Sequence, residues 1–245
     1  DYVVYAGDPR ALATGTLGTQ LEKIAPTTKR AARSLSARVH SFATTPQGLD
    51  LAHHNVLFDG DPKAEFASLA RGARVLDVFA HVGGFGLAAL AAGAQSALAV
   101  DGSAPALELA QAGAEAMGAA DRFTTRQGDA FDTLAALRSE GAEFDVVICD
   151  PPAFAPSRSS LEAGLRAYER IARLAAPLVA DNGILGLCSC SHAADLSQFR
   201  VSSVRGIGRA GRQATLLHTG FAGPDHPQLP QLAESGYLKS LFFRV

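Results

Sequence analysis

The sequence predicts an α/β fold built on a mostly parallel sheet with helices on both faces. Three observations carry this expectation. From residue 73 onward, short apolar or β-branched runs alternate with Ala/Leu-rich stretches of helical length, the pattern of consecutive β-turn-α units. Several of the apolar runs carry an aspartate near their end, ahead of a glycine-rich turn or directly before glycine or proline, as in VLDVFAHVGGFG, AVDGS and VVICDPP, which gathers acidic side chains along one edge of such a sheet. Composition allows a large core, since 47% of the 245 residues are hydrophobic and 19% are charged.

Residues 1–70 carry only partial strand-like alternation, at 35–42 and 49–58, interrupted by the turn signal Thr45-Pro46-Gln47-Gly48. They predict a small, mostly β appendage ahead of a main domain at 71–245. Lys29, Arg30, Arg33 and Arg38 form a local basic cluster, readable as a solvated face or as a phosphate contact. His53-His54 lacks a second ligand pair at metal spacing and reads as structural.

Seven strands are expected in the main domain, at 75–78, 95–100, 122–126, 144–149, 184–190, 214–219 and 238–245. Helices fall between them. Ser103 and Pro105 mark the start of one, as a cap and a first-turn proline. Residues 130–139 and 161–180 read as two more, the second kinked or ended by Pro177, and a further helix begins near residue 193. Arg205, Arg209 and Arg212 recur at helical spacing, but Gly206, Gly208 and Gly211 favour a solvated basic turn there.

Whole-chain properties exclude some classes. A net charge of -2 offers no global attraction to a polyanion, so a nucleic-acid partner would need a local basic face. Cys149, Cys188 and Cys190 are too few and too close for a disulfide framework and lack the spacing of a zinc site, so reduced thiols and no metal are expected. No apolar run is long enough to span a bilayer, and the opening DYVVYAGDPR lacks a signal pattern, which predicts no membrane partner and a cytoplasmic location. The abrupt start reads as that of a fragment of a longer protein.

The glycine-rich turn of residues 75–86 follows Asp77 and has the form of a cofactor loop. Gly83, Gly84 and Gly86 let the backbone turn tightly against a ligand. Phe79-Ala80-His81-Val82 stands where a dinucleotide fold would put its first glycine, and no Lys-Ser/Thr follows, so pyrophosphate is disfavoured. Asp101, with Gly102 and Ser103 after it, is placed to accept ribose hydroxyls, and Asp129 to accept from an adenine amine. Either aspartate alone reads equally well as a helix cap. Together with the turn they describe an adenosine site without phosphates, which points to S-adenosyl-L-methionine (SAM), its amino-acid end over the amides of residues 80–84.

Asp150-Pro151-Pro152-Ala153-Phe154 leaves the fourth strand at the same edge. The two prolines stiffen the loop and aim Asp150 at a planar substrate, and Phe154 could stack on a base or fill the core. In LCSCSH, Cys188 and Cys190 share one strand face, with Cys190 nearer the edge. A cysteine there suits methylation of carbon 5 of a pyrimidine, which becomes nucleophilic only after a thiolate adds at carbon 6. By itself it reads as a buried structural thiol.

The set VLDVFAHVGGFG, AVDGS, GDAF, DPPAF and LCSCSH, followed by GPDHP and YLK, resembles the class I SAM-dependent methyltransferases, and among them the large-subunit rRNA cytosine-5 methyltransferase family. The resemblance covers residues 73–245. It implies a Rossmann-like class I methyltransferase fold with a seven-stranded, mostly parallel sheet whose last strand is antiparallel. It also implies SAM as donor, ribosomal RNA as partner and Cys190 as nucleophile, with Asp150 binding or protonating the cytosine edge. His226 and His192 are candidate bases or substrate contacts. Members usually begin with an RNA-binding PUA domain, which is not recognisable in residues 1–70, and a homodimer is one open assembly. Two other readings stand beside this one: an amino-group methyltransferase working through Asp150-Pro151-Pro152, and a non-catalytic SAM- or RNA-binding module.

Overall fold

A computed structural model describes residues 2–5, 40–43, 56–57, 69–222, 231 and 236–245. The basic cluster at residues 29–38, the turn at 45–48, His53-His54 and His226 lie outside the described residues. The chain divides into two compact units, Asp1–Leu51 and Ala52–Val245. In the first, β1 (Tyr2–Tyr5) and β2 (His40–Ala43) pair antiparallel.

The second unit holds the predicted α/β sheet. Its strands are β4 (Arg74–Val78), β5 (Ser96–Asp101), β6 (Phe123–Gln127), β7 (Phe144–Cys149), β8 (Val179–Ser189), β9 (Thr215–Ala222) and β10 (Lys239–Arg244). The two-residue β3 (Val56–Leu57) adds to β9 at one edge, and the order is β3-β9-β10-β8-β7-β4-β5-β6. Strands β4 to β8 run parallel, whereas β10 lies antiparallel to both neighbours, β8 and β9. The chain winds outward from β4 through β5 to β6, then resumes on the other side of β4 with β7 and β8. The switch in direction falls between β4 and β7, where such folds open a crevice at the carboxyl ends of their strands.

Alternation along the strands sends side chains to two cores. Leu76, Val78, Val147, Cys149, Leu185 and Leu187 face the layer of α3 (Ala130–Ser139), α4 (Leu161–Ala175) and α5 (Leu196–Arg209). Val75, Ala97, Ala99, Val146 and Ile148 face α1 (Gly84–Ala91) and α2 (Ala104–Ala116). Burial on both faces is what makes these strands read as continuous apolar runs rather than alternating ones.

Two elements differ from expectation. Helix α4 ends at Ala175, and a short 3-10 turn, Ala176–Leu178, takes up Pro177 before β8 starts at Val179, five residues earlier than the apolar pattern suggests. Helix α5 continues through Gly206 and Gly208 to Arg209 instead of breaking into a turn. Tertiary packing explains this: a Cβ at Gly206 would overlap the Glu169 carbonyl and sit 2.7 Å from the Ala172 Cβ of α4. The glycine permits close helix contact, and its low propensity is overridden. Arg209 then pairs with Glu169, and Arg212 reaches Asp181 at 3.3 Å.

Candidate active site at the carboxyl edge of the sheet

The turn after β4 is held in an unusual backbone conformation. Phe79 and His81 have φ of 63° and 49°, a left-handed region that side chains with a Cβ rarely adopt. Hydrogen bonds to the neighbouring strand hold them there: Ala80 N–H donates to the Val100 carbonyl at 3.0 Å, and His81 N–H donates to Asp101 Oδ2 at 2.9 Å. Gly83, at φ 80°, is the residue before α1, and a Cβ there would press on Ala110 at 3.0 Å and Phe123 at 3.2 Å. Strained, over-determined backbone of this kind concentrates at ligand sites.

Asp77 and Asp101 stand near the carboxyl ends of β4 and β5, with Asp150 just past the end of β7 and Asp129 just past β6. Asp77 is buried at 1% exposure. Its Oδ2 accepts the Gly86 N–H at 2.8 Å, and its Oδ1 has no hydrogen-bond partner among the described residues. Burial is the main cause that pushes its carboxyl up to about 7; backbone donors of Gly86 and Phe85 oppose this, and the charges of Asp150 and Asp101 add to it. Asp101 also accepts the Ser103 N–H at 2.8 Å, so each of its oxygens holds one backbone donor and keeps a lone pair for another. Asp129 caps α3 through Oδ1, which accepts from Phe131 N–H at 2.9 Å and Asp132 N–H at 3.1 Å. Gly102 is exposed beside it, and Ser103 caps α2 through the Ala106 N–H at 3.4 Å.

Strands β7 and β8 supply the other side. Burial raises the half-buried Asp150 carboxyl to about 6. Cys190, half-buried at the end of β8, directs Sγ at the Pro151 carbonyl, 3.8 Å away, so the thiol meets the Asp-Pro-Pro loop. Burial pushes this thiol up and the Asp150 charge adds to it, while a backbone donor and Lys239 act in the opposite sense. Cys188 and Cys149 are buried and burial pushes both thiols up as well, so what sets Cys190 apart is its partial exposure. Phe154 packs among Phe79, Phe131 and Tyr168, with ring centroids 5.0 to 6.1 Å away. Pro151 is buried and Pro152 exposed. Exposed His192 stacks on Tyr237 at 4.5 Å.

Four residues here carry no role in the sequence reading. Ser189 and Ser191 flank Cys190 and turn the opposite way, into a buried network: Tyr168 Oη lies 2.7 Å from Ser191 Oγ and accepts from Ser189 Oγ at 2.9 Å, and Ala155 N–H donates to Ser191 Oγ at 2.9 Å. Lys239, 8% exposed, donates from Nζ to the Ser191 and Tyr237 carbonyls, both at 2.9 Å. The alternation Ser-Cys-Ser-His could have flagged the serines; nothing local flags Tyr168 or Lys239 as their partners.

Two concave surfaces among the described residues lie away from Cys190. One, of about 380 Å³, runs between α2 and β6 past Leu107, Glu108 and Gln127. The other, of about 490 Å³, lies at the opposite, amino edge around Arg71, Asp145 and Asn182. Among the described residues no helix is long and apolar enough to cross a membrane, and no group of three or more His, Cys, Asp or Glu side chains is arranged to hold a metal.

Strand order, with the antiparallel β10 set between β8 and β9, gives the chain the Rossmann-like fold of the class I SAM-dependent methyltransferases, with the strained turn at the carboxyl edge of its sheet. A family model described as Conserved hypothetical protein 95 matches residues 62–173. The chain is 37% identical over 187 residues to the ribosomal RNA large subunit methyltransferase I of Aeromonas hydrophila, covering 76% of this chain and 47% of that protein. It is 38% identical over 174 residues to the enzyme of the same name from Aeromonas salmonicida, covering 70% and 44%. The chain thus spans about half the length of these relatives. The solved structure of SMU.776 complexed with SAH superposes with a TM-score of 0.66 at 25% identity, covering 75% of this chain and 48% of that one.

Proposed function

We propose that this chain binds SAM at the β4 turn and methylates carbon 5 of a cytosine in large-subunit ribosomal RNA, with Cys190 as the nucleophile. The observation that carries the reading is the meeting of the Cys190 thiol with the Asp150-Pro151-Pro152 loop at the carboxyl edge, beside the acidic turn. Support for the substrate comes from the relatives named as large-subunit rRNA methyltransferases.

The residues fit the donor. The buried Oδ1 of Asp77 has no hydrogen-bond partner meeting normal geometry among the described residues and can accept from a donor such as an ammonium group. Three neighbouring carboxyls favour a cationic ligand and repel phosphates. Asp77 and the backbone of Phe79, Ala80, His81, Gly83 and Gly84 would hold the amino-acid end, Asp101, Gly102 and Ser103 the ribose, Asp129 the adenine, and Asp150 the rim next to the substrate. When bound, SAM supplies an electrophilic methyl group.

The Cys190 thiolate adds to carbon 6 of the ring, and the electron pair displaced toward carbon 5 makes that carbon nucleophilic. Asp150, with its carboxyl near 6, can hold or give a proton at the cytosine edge during attack. After transfer, loss of the carbon-5 proton to a base, with His192 and His226 as candidates, returns the electron pair and expels the thiolate. Pro151 and Pro152 keep the loop stiff enough to orient the ring, and Phe154 backs it. Replacing Cys190 by Ala is expected to abolish methylation of undermodified rRNA while changing SAM affinity less than about threefold; full turnover by that variant contradicts the mechanism.

A second reading has its own support. Burial and Asp150 oppose ionisation of Cys190, and amino-group transfer through the Asp-Pro-Pro loop needs no thiolate. Under that reading the Cys190 variant stays active and the product carries its methyl group on nitrogen.

A further inference from the structure

Lys239 is a buried cation whose hydrogen bonds serve a single stretch of chain. Its Nζ donates to the carbonyl of Ser191, the residue after Cys190, and to that of Tyr237. In register, Lys239 lies opposite Ser189 on the antiparallel neighbour strand, and its Nζ reaches past the end of β8 to the Ser191 carbonyl, one residue beyond Cys190. A lysine at 8% exposure gives up most of its hydration, and two neutral carbonyls replace that only in part. Such a charge needs an anion nearby, and Lys239 forms no ion pair among the described residues. We infer that the ammonium group of Lys239 is the counter-charge of the Cys190 thiolate, tethered in place by the Ser191 and Tyr237 carbonyls. The inference deepens the proposed cysteine mechanism and rests on it for its purpose.

The other charged or titratable groups around Cys190 make the need plain. Asp150 faces it from the end of β7 and disfavours a second negative charge. The Cys188 thiol shares its strand face, the Tyr168 phenol approaches from α4, and His192 follows two residues on. Burial works against the charge on Lys239 and pushes its ammonium group down, while Cys190 and then Asp195, at the start of α5, favour the charged form. Lys239 is the one cation among those acting on the thiol, and it acts toward ionisation. On ionisation the Sγ proton passes to solvent and the sulfur keeps the electron pair that later forms the bond to carbon 6. Lys239 touches neither substrate nor donor in this scheme, so it is a positioning residue.

The test reads Cys190 directly. Iodoacetamide alkylates the thiolate with loss of iodide, and peptide mass spectrometry across pH 6 to 10 follows Cys190 apart from the buried Cys149 and Cys188. Lys239→Gln, which keeps a donor for the carbonyls but no charge, is expected to raise the midpoint and to slow alkylation about tenfold at neutral pH. Lys239→Arg is expected to keep the native midpoint. Should the Gln variant not fold, Lys239→Met serves, with SAM binding as the check on the native site. A Gln or Met variant whose profile overlays the native one overturns the inference, as does an Arg variant shifted as far as Gln. A shifted midpoint in a chain that methylates no RNA keeps the inference and rejects the mechanism; methylation through Cys190 with no shift does the reverse.

Discussion

Asp77 accepts the Gly86 N–H at 2.8 Å through one carboxyl oxygen and keeps the other buried with no partner among the described residues. The contact ties the end of β4 to the first turn of α1 beneath the strained turn. Its folded carboxyl stays protonated to about pH 7, against 3.8 for an ordinary aspartate. Between those values the native state therefore binds more protons than the unfolded chain. The stability this group contributes is complete below about pH 4, is lost as pH rises through the window, and levels off above about 7. Each pH unit inside the window is worth about 1.4 kcal/mol. Urea unfolding from pH 5 to 8 should show Asp77→Asn with a flatter slope and higher stability than the native chain at pH 8, in the absence of SAM.

Ligand affinity should run the other way. A cationic donor prefers ionised Asp77, so SAM affinity should rise with pH up to about 7 and then level off, by up to tenfold per unit below that point. Titration calorimetry at pH 6 and 8 measures it, and Asp77→Asn should bind weakly at both.

Asp101 is the hinge pin of the same turn. Asp101→Ala removes the acceptor of the His81 and Ser103 N–H groups and releases a residue from φ 49°. SAM affinity should fall by more than tenfold, with a stability loss of about 1 to 3 kcal/mol. Equilibrium binding and urea unfolding of one variant check both numbers.

Gly206 and Gly208 share a helix and should respond oppositely to alanine. At Gly206 a methyl group meets the Glu169 carbonyl and forces α4 and α5 apart, an overpacking that costs about 1 to 3 kcal/mol. At Gly208 nothing lies within 4 Å, so alanine should stabilise by about 0.4 to 1 kcal/mol through helix propensity and lost unfolded-state freedom. Denaturant midpoints of the two variants decide it.

What the sequence made legible follows from how local the signal was. Strands β4, β5 and β7 are short apolar runs with Asp77, Asp101 and Asp150 within one residue of their ends, and their positions read off directly. The start of β8 did not, because Asp181-Asn182-Gly183 looks like a turn while Val179 pairs with Phe144 across it. Helix α5 was misjudged at Gly206 because propensity is local and the α4 contact is not. The Cys190 position was visible from strand period alone. Its surroundings were not: Tyr168 lies 22 residues before it and Lys239 lies 49 after it in the chain, and only the sheet order brings them to the Ser-Cys-Ser segment. The aspartates show a subtler limit. Sequence could not decide between cap and ligand role for Asp129, and the structure gives it a cap through one oxygen while the second stays available.

The proposed carbon-5 methylation of an rRNA cytosine by Cys190 leaves a distinct nucleoside product. The most direct measurement incubates the chain with methyl-labelled SAM and undermodified large-subunit rRNA, then digests the RNA and separates the nucleosides. The prediction is label in 5-methylcytidine with the native chain and none with Cys190→Ala. Label in N4-methylcytidine or another nitrogen-methylated nucleoside, retained in the Cys190→Ala variant, would contradict it.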